Sequence, residues 1–202
     1  MKIDLKSKKL WSGIAVFIIL FIIAVVVISP YFAPEKSTAT STLGDDERDC
    51  LFFPTFSGDS LSGNTIAFPD AFDSDYTLVV MAFGADHLPK IGAWMEIAAE
   101  LSDTYSDLSF YGIPISPELP APAMIVARKA ITALLDSSFH DNVVTVFLDN
   151  RDDLLEMMEI SDFDDMQVFI VNIDDEIAWC MEGDFTEEKA EELRQQVDLL
   201  FD

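Results

Sequence analysis

The chain has few of the residues on which most catalytic sites depend. Its 202 residues include two cysteines, Cys50 and Cys180, and two histidines. The cysteines lie about 130 positions apart, so there is no Cys-x-x-Cys dithiol and no cysteine spacing typical of a metal site. A Gly-x-Ser-x-Gly elbow and a phosphate-binding glycine loop are also lacking, and the acidic clusters at 149–153 and 162–165 lack the central glycine of a calcium loop. The sequence therefore predicts no catalytic residue, no cofactor and no metal ligand.

Basic residues are scarce as well. The chain has 12 lysines and arginines against 37 aspartates and glutamates, a net charge of −25. Four of the lysines precede residue 10, beside a single aspartate, which leaves eight basic and 36 acidic residues for the remainder, a net charge of −28. So acidic a chain repels nucleic acid and anionic surfaces, and we expect no nucleic-acid partner.

One long run has no charged residue at all. From Leu10 to Ile28 the only polar side chain is that of Ser12. At about 1.5 Å per helical residue this run spans the ~30 Å apolar core of a bilayer. We expect a transmembrane helix over residues 10–29. The lysines in residues 1–9 then hold the N-terminus in the cytoplasm and place the rest of the chain on the extracytoplasmic side.

A cleaved signal peptide is the alternative to this anchor. The apolar region of a signal peptide is usually about 7–15 residues long and is followed by a small-x-small cleavage site. Here the run is longer, and the nearest small residues, Ser29 and Ala33, each precede a proline. An uncleaved signal-anchor is the better interpretation. The lysine-rich start differs from an arginine-rich transit peptide, which favours a prokaryotic plasma membrane over an organelle's inner membrane.

The remainder divides into a linker and one domain. Residues 30–49 are rich in Ser, Thr and charge and have few large apolar residues, which predicts a flexible linker. Residues 50–202 alternate between strand and helix patterns. We expect an opening hairpin turning at 62–64, strands at 76–83, 108–115 and 142–149, helices at 89–105, 122–139 and 151–160, a closing hairpin turning at Asp174-Asp175, and a last helix capped by Thr186.

This order predicts an α/β fold with a mixed sheet and helices on both faces. In the helix at 122–139 the pattern places Ile125, Ala127, Ile131, Leu134 and Leu135 on or near one apolar face.

Three segments resemble a thioredoxin-like domain of the redoxin or AhpC/TSA type. The entry hairpin of that group is similar to residues 53–66 (FPTFSGDSLSGNTI). The strand and loop that deliver its redox motif are similar to residues 79–91 (VVMAFGADHLPKI). Its closing hairpin and helix are similar to residues 169–188 (FIVNIDDEIAWCMEGDFTEE). The Leu-Ser-Gly hairpin, the Trp179-Cys180 strand end followed by Gly183, and the lack of a dithiol also resemble the redoxin-like mitochondrial ATP synthase assembly factors. The resemblance implies a thioredoxin-like fold.

The same resemblance shows what this chain lacks. The two cysteine positions of the redox motif fall at Leu88 and Ile91, which are aliphatic, and the loop has no peroxidatic cysteine. The proline that faces the redox pair in the family would precede Val168, where Asp165, Met166 and Gln167 stand. The residues that make this fold a redox catalyst are therefore absent.

The remaining candidate residues are few. Cys50 and Cys180 can form a disulfide on the extracytoplasmic side, although two free thiols fit the sequence as well. Acidic neighbours raise the pKa of a thiol, so both cysteines are poor nucleophiles. Asp86 and His87 lie in the loop that replaces the redox motif. They could form an acid–base pair or half of a metal site, but a polar loop histidine without such a role is the simpler interpretation.

Two functions remain. The first is a membrane-tethered, extracytoplasmic thioredoxin-fold protein that acts by binding, as an assembly factor or accessory subunit of a membrane protein complex. The second is an atypical thiol–disulfide oxidoreductase or peroxiredoxin-like enzyme. The absence of a dithiol favours the first.

Overall fold

The computed structural model of the protein describes residues 52–160 and 163–201. The predicted cytoplasmic segment 1–9, transmembrane helix 10–29 and linker 30–49 lie outside these residues, as does Cys50. Within the two described ranges, no helix combines the length and the apolar character needed to cross a membrane.

The described chain alternates strands and helices in the predicted order. A short 3-10 turn, Ser137–Phe139, follows the second helix. In chain order the elements are β1 (Phe56–Ser60), β2 (Thr65–Phe68), β3 (Tyr76–Ala82), α1 (Leu88–Thr104), β4 (Leu108–Pro117), α2 (Ala121–Leu134), β5 (Val144–Leu148), α3 (Asp152–Met157), β6 (Gln167–Asn172), β7 (Ile177–Glu182) and α4 (Glu187–Phe201).

The strands form one seven-stranded sheet in the order β2-β1-β5-β4-β3-β6-β7. The three central strands β5, β4 and β3 are parallel to one another, and the outer pairs are antiparallel. Parallel neighbours need a crossover connection, and helices α1 and α2 supply it. The predicted mixed sheet is confirmed.

Alternate residues of β3 divide the core into two layers. Leu78, Val80 and Ala82 pack on one face of the sheet with α1, α2 and α4, and Val79 and Met81 pack on the other face with α3. Such a strand is buried on both sides, which explains its continuous apolar sequence. The prediction of helices on both faces is therefore confirmed.

Helix α2 differs from its prediction in length and in the face that it buries. It ends at Leu134 rather than at residue 139, because the side chain of Asp136 accepts a hydrogen bond from the Ser138 N–H (2.9 Å) and starts the 3-10 turn instead. Ala127 and Ile131 are buried, but Ile125 and Leu134 are 58% and 48% exposed. The two exposed residues lie nine positions apart, about half a turn from each other around the helix, so they cannot share one buried face.

Strand β4 continues two residues past residue 115, at which the sequence predicted its end. Pro114 is the last β4 residue paired with β3, opposite Ala82. The continuous pairing with β5 begins at the next residue, Ile115, opposite Val146. A proline lacks the N–H of a strand ladder and is tolerated where pairing changes from one neighbour to the other.

Candidate functional site

The candidate site lies where central strand β3 meets helix α1. β3 ends at Ala82, and α1 begins at Leu88 after a five-residue loop. The first turn of a helix presents unpaired N–H groups and the positive end of the helix dipole. This is the position at which a thiolate would be stabilised.

The two residues that occupy the positions of the redox motif cannot form a thiolate. Leu88 is the first residue of α1, and Ile91 is fully buried in the core. Pro89 lies between them in the first turn and has no N–H to offer an anion. This helix start therefore carries apolar packing where a redox protein carries sulfur.

His87 closes the loop before the helix. Its Nδ1 accepts hydrogen bonds from the main-chain N–H groups of Phe83 (3.2 Å) and Gly84 (3.3 Å). An accepting Nδ1 carries no proton, so the proton of the neutral ring is on Nε2, which donates to the main-chain carbonyl of Asp164 (3.0 Å). The side chain is only 1% exposed. The ring thus joins the end of β3, the start of α1 and the loop before β6.

The neighbouring Asp86 is not hydrogen-bonded to this ring. Its Oδ2 lies 4.0 Å from His87 Nε2, beyond hydrogen-bond length, and its side chain is 76% exposed. Because both ring nitrogens of His87 are engaged by the main chain, the two side chains do not form an acid–base pair in this geometry. The sequence predicted a polar loop histidine and missed its burial. The available signal was its place between two strongly apolar segments, 79–83 and 88–91.

The charges around the start of α1 are mainly negative. Lys90 Nζ makes a 2.6 Å ion pair with Asp184 Oδ2, which joins α1 to the segment after β7. The hydrogen bond with Asp184 is the main cause of the raised pKa of Lys90, and the charges of Asp86 and Asp165 add to it. Three carboxylates thus lie near one lysine. Such surroundings oppose a thiolate rather than stabilise it.

The loop before β6 faces the corner formed by the end of β3 and the start of α1, and contacts on both sides hold this loop in place. Met166 is fully buried, and its carbonyl accepts a 2.7 Å hydrogen bond from the Gly183 N–H. The Arg151 guanidinium lies 4.1 Å from the ring centre of Phe163 and donates to the carbonyl of Phe83 (3.3 Å). The corner is therefore closed by its own side chains.

Cys180 lies elsewhere. It is paired with Phe169 across β6 and β7 and packs on the sheet face opposite α1. Its sulfur is disulfide-bonded. Because Cys50 lies outside the described residues, the pairing of Cys50 with Cys180 stays a prediction.

Metal binding has no support in the part of the chain that the structure describes. Residues 52–160 and 163–201 contain no group of three or more His, Cys, Asp or Glu side chains placed to hold an ion. In the acidic cluster at 149–153, Asn150 donates to the Asp153 carboxylate (2.7 Å) and accepts from the Asp152 N–H (3.2 Å). These hydrogen bonds hold the chain in place where α3 begins, which is a structural role for the cluster.

Comparison with solved structures identifies the fold. At a TM-score of 0.51 the chain is similar to a putative thiol:disulfide interchange protein DsbE from Chlorobium tepidum (11% identity, 75% of this chain and 96% of the other). It is equally similar to BsSco, a member of the Sco family of cytochrome c oxidase assembly proteins (13%, 74% and 92%). A third is a putative protein disulfide isomerase from Bacteroides thetaiotaomicron (11%, 78% and 92%). No protein-family model and no curated protein sequence matches the chain. At these identities the likeness shows the thioredoxin-like fold.

Proposed function

We propose that this thioredoxin-fold protein acts by binding, as an assembly factor or accessory subunit of a membrane protein complex, and that residues 10–29 tether it to the membrane. The observation that carries the proposal is the start of α1. Leu88 and Ile91 stand where the fold needs a thiol for redox chemistry, and the buried ring of His87 closes the same corner with three hydrogen bonds to the main chain. A fold can serve many functions, so this local chemistry carries more weight than the fold itself.

Cys180 is badly placed to replace the missing thiol. It packs on the face of the sheet opposite α1, away from the positive end of that helix where a thiolate would be stabilised. Glu182 and Asp184 follow it in the sequence and add negative charge. A disulfide at this place is better suited to holding the domain together than to exchange with a substrate.

The tether is supported by the sequence. The uncharged run from Leu10 to Ile28 is long enough to cross a bilayer, and the lysines before it place the domain on the extracytoplasmic side. A disulfide at Cys180 fits that oxidising side. Alkaline carbonate extraction tests the tether: the full chain should stay in the membrane pellet, and its release into the supernatant would contradict the proposal.

One observation favours the second candidate, an atypical oxidoreductase. Cys180 is oxidised, and an exchangeable disulfide on this fold could accept electrons from a dithiol. The test is turnover by the purified full chain in two assays, insulin reduction driven by dithiothreitol and peroxide consumption. We expect rates equal to the uncatalysed reactions, with a Cys-x-x-Cys thioredoxin as the positive control. Turnover that disappears in Cys180→Ser would replace the binding function by the enzymatic one.

A further inference from the structure

Helix α2 has an unusual surface for this domain. The part of the chain that the structure describes has seven exposed large hydrophobic side chains, and Ile125, Val126 and Leu134 of this helix are three of them. They are 58%, 45% and 48% exposed. Helix α1, which is longer, has none. Ile125 and Val126 are neighbours, and an exposed apolar pair of this kind beside a groove is typical of a contact surface, whereas Leu134 lies half a turn from Ile125 around the helix.

The same segment is free of acidic residues. From Leu119 to Leu135 there are seventeen residues without an aspartate or glutamate, the longest such stretch in the described part of a chain that has 37 acidic residues. The only charged residues in it are Arg128 and Lys129. The composition of the chain does not explain this lack of acidic residues, because the other exposed helical surfaces of the domain carry carboxylates.

A groove runs along one side of the helix. It has a volume of about 370 Å³ and lies between α2 and strands β1, β2 and β5. Met124 and Ile125 form its wall on the helix side, and Phe147 of β5 adds a further apolar surface. Arg128 and Asp59 also line it and make a 2.7 Å ion pair with each other. We call the exposed pair Ile125 and Val126 the ridge of α2; it is continuous with the groove, since Ile125 belongs to both.

Carboxylates lie at both ends of α2 and in the groove. Glu118 lies just before the helix, beside Asp149, and Asp136 follows its end. Asp59 lies in the groove. The surface therefore has an apolar centre and an acidic rim. The complementary partner has an apolar ridge flanked by lysine or arginine.

The charge also argues against the other occupants. A second copy of the chain carries the same net charge of −25 and would bring the same acidic rim against this one. An anionic bilayer surface is repelled for the same reason, and Arg128, one of the two cations on the helix, is already paired with Asp59. A protein segment that is both apolar and basic complements the apolar centre and the acidic rim together.

We propose that the ridge of α2 and the adjoining groove form the docking surface for an apolar, basic-flanked segment of the partner protein. Helix α2 has 14 residues and is thus about 21 Å long, enough to contact an amphipathic helix of similar length laid beside it. The inference rests on the proposed binding function, and it names the surface and the chemistry of the partner.

The test is site-specific photo-crosslinking with the full chain in the membranes of its own host. The probe is p-benzoylphenylalanine at position 126, with the same amino acid at Met157 as the control. Met157 is 53% exposed on α3, on the other face of the sheet. We expect position 126 to crosslink to one other protein. The crosslinked peptide of that protein should be apolar and flanked by lysine or arginine. Position 157 should not form that adduct.

A second variant separates contact from mere proximity. Ile125→Asp places a carboxylate at the border between ridge and groove, and should lower the yield of the adduct at least tenfold. Leu199→Asp, on the exposed side of α4, should leave it unchanged. Because both side chains are exposed, circular dichroism should show unchanged folding for both variants. Equal yields from wild type and Ile125→Asp would overturn the proposal.

Other adducts would overturn it as well. A product of twice 22.5 kDa would indicate a second copy, and a lipid adduct would indicate the bilayer surface. A crosslink within the chain, or to an acidic peptide, would also contradict it. If a partner co-isolates equally well with wild type and Ile125→Asp, the docking surface is wrong while the binding function stands. If no partner co-isolates with either, the binding function itself fails.

Discussion

The ring of His87 is hydrogen-bonded to the main-chain carbonyl of Asp164, 77 residues further along the chain, at a distance of 3.0 Å. This contact joins the start of α1 to the loop before β6. In a redox protein of this fold the same two segments hold the dithiol and the proline that faces it. Here a neutral histidine links the two segments by hydrogen bonds to main-chain atoms, so its role at this corner is structural.

The first prediction concerns this corner. His87→Ala removes the acceptor of two buried main-chain N–H groups, those of Phe83 and Gly84, and the donor to the part-buried carbonyl of Asp164. We expect it to lower the free energy of unfolding by about 2–4 kcal/mol, measured by urea denaturation. His87→Asn can still accept from the N–H groups of Phe83 and Gly84 but is too short to reach Asp164, and should lose about half as much.

The matched control is the adjacent residue. Asp86→Ala removes a side chain that is 76% exposed, and should change the free energy of unfolding by no more than about 0.5 kcal/mol. If His87→Ala is as mild as Asp86→Ala, the ring does not hold the corner together.

The second prediction compares two glycines at the packing of α1. A Cβ on Gly112 of β4 would lie 2.7 Å from Met95 Sδ and 3.3 Å from Val143 Cγ2, whereas a Cβ on Gly92 of α1 would meet only Leu135, at 3.5 Å. We expect Gly112→Ala to cost about 1–3 kcal/mol through overpacking. Gly92→Ala should instead stabilise by about 0.5–1 kcal/mol, because alanine favours the helix. If urea denaturation shows that both variants change the free energy of unfolding in the same direction, this account of the packing is contradicted.

The third prediction concerns Asp59, in the groove beside α2. The hydrogen bond from Thr65, together with the hydrogen bond and charge of Arg128, lowers the pKa of this carboxyl against the opposing effect of partial burial. A carboxyl with a lowered pKa stabilises the folded state above its unfolded pKa, and that stabilisation is lost as the pH falls through the folded pKa. The stability difference between wild type and Asp59→Asn should therefore be largest near neutral pH and shrink in acid.

Two NMR titrations check the causes. In Thr65→Val and in Arg128→Gln the pKa of Asp59 should rise toward its ordinary value, because the hydrogen bond from Thr65 and the hydrogen bond and charge of Arg128 each lower it. An Asp59 titration that is the same in wild type and in both variants would show that neither group acts on the carboxyl.

The order of elements could be predicted from the sequence because each has a clear period. The apolar run 76–83 reads as a strand buried on both faces, and Thr186 accepts the Lys189 N–H at the start of α4 as its capping position implies. The turn at Asp174-Asp175 is also found where it was expected, with Asp175 at φ 66°. These features depend on residues close together in the chain.

Features that depend on distant contacts could not be predicted. The hydrogen-bond partner of the His87 ring, the carbonyl of Asp164, lies 77 residues along the chain, and nothing near His87 in the sequence indicates that acceptor. The exposure of Ile125 and Leu134 depends on how narrow a stripe of α2 the sheet covers. The absence of sulfur at Leu88 and Ile91 could be read directly from the sequence, but the closed corner that replaces it required the structure.

The central claim is that the protein acts by binding at a membrane, and co-isolation tests it most directly. The full chain with a C-terminal tag is extracted in mild detergent, and the proteins recovered with it are quantified against the tagged chain. We expect at least one membrane protein in near-stoichiometric amount with wild type, and its loss with Ile125→Asp but not with Leu199→Asp. Repeated recovery of the chain alone, in high yield, would contradict the claim.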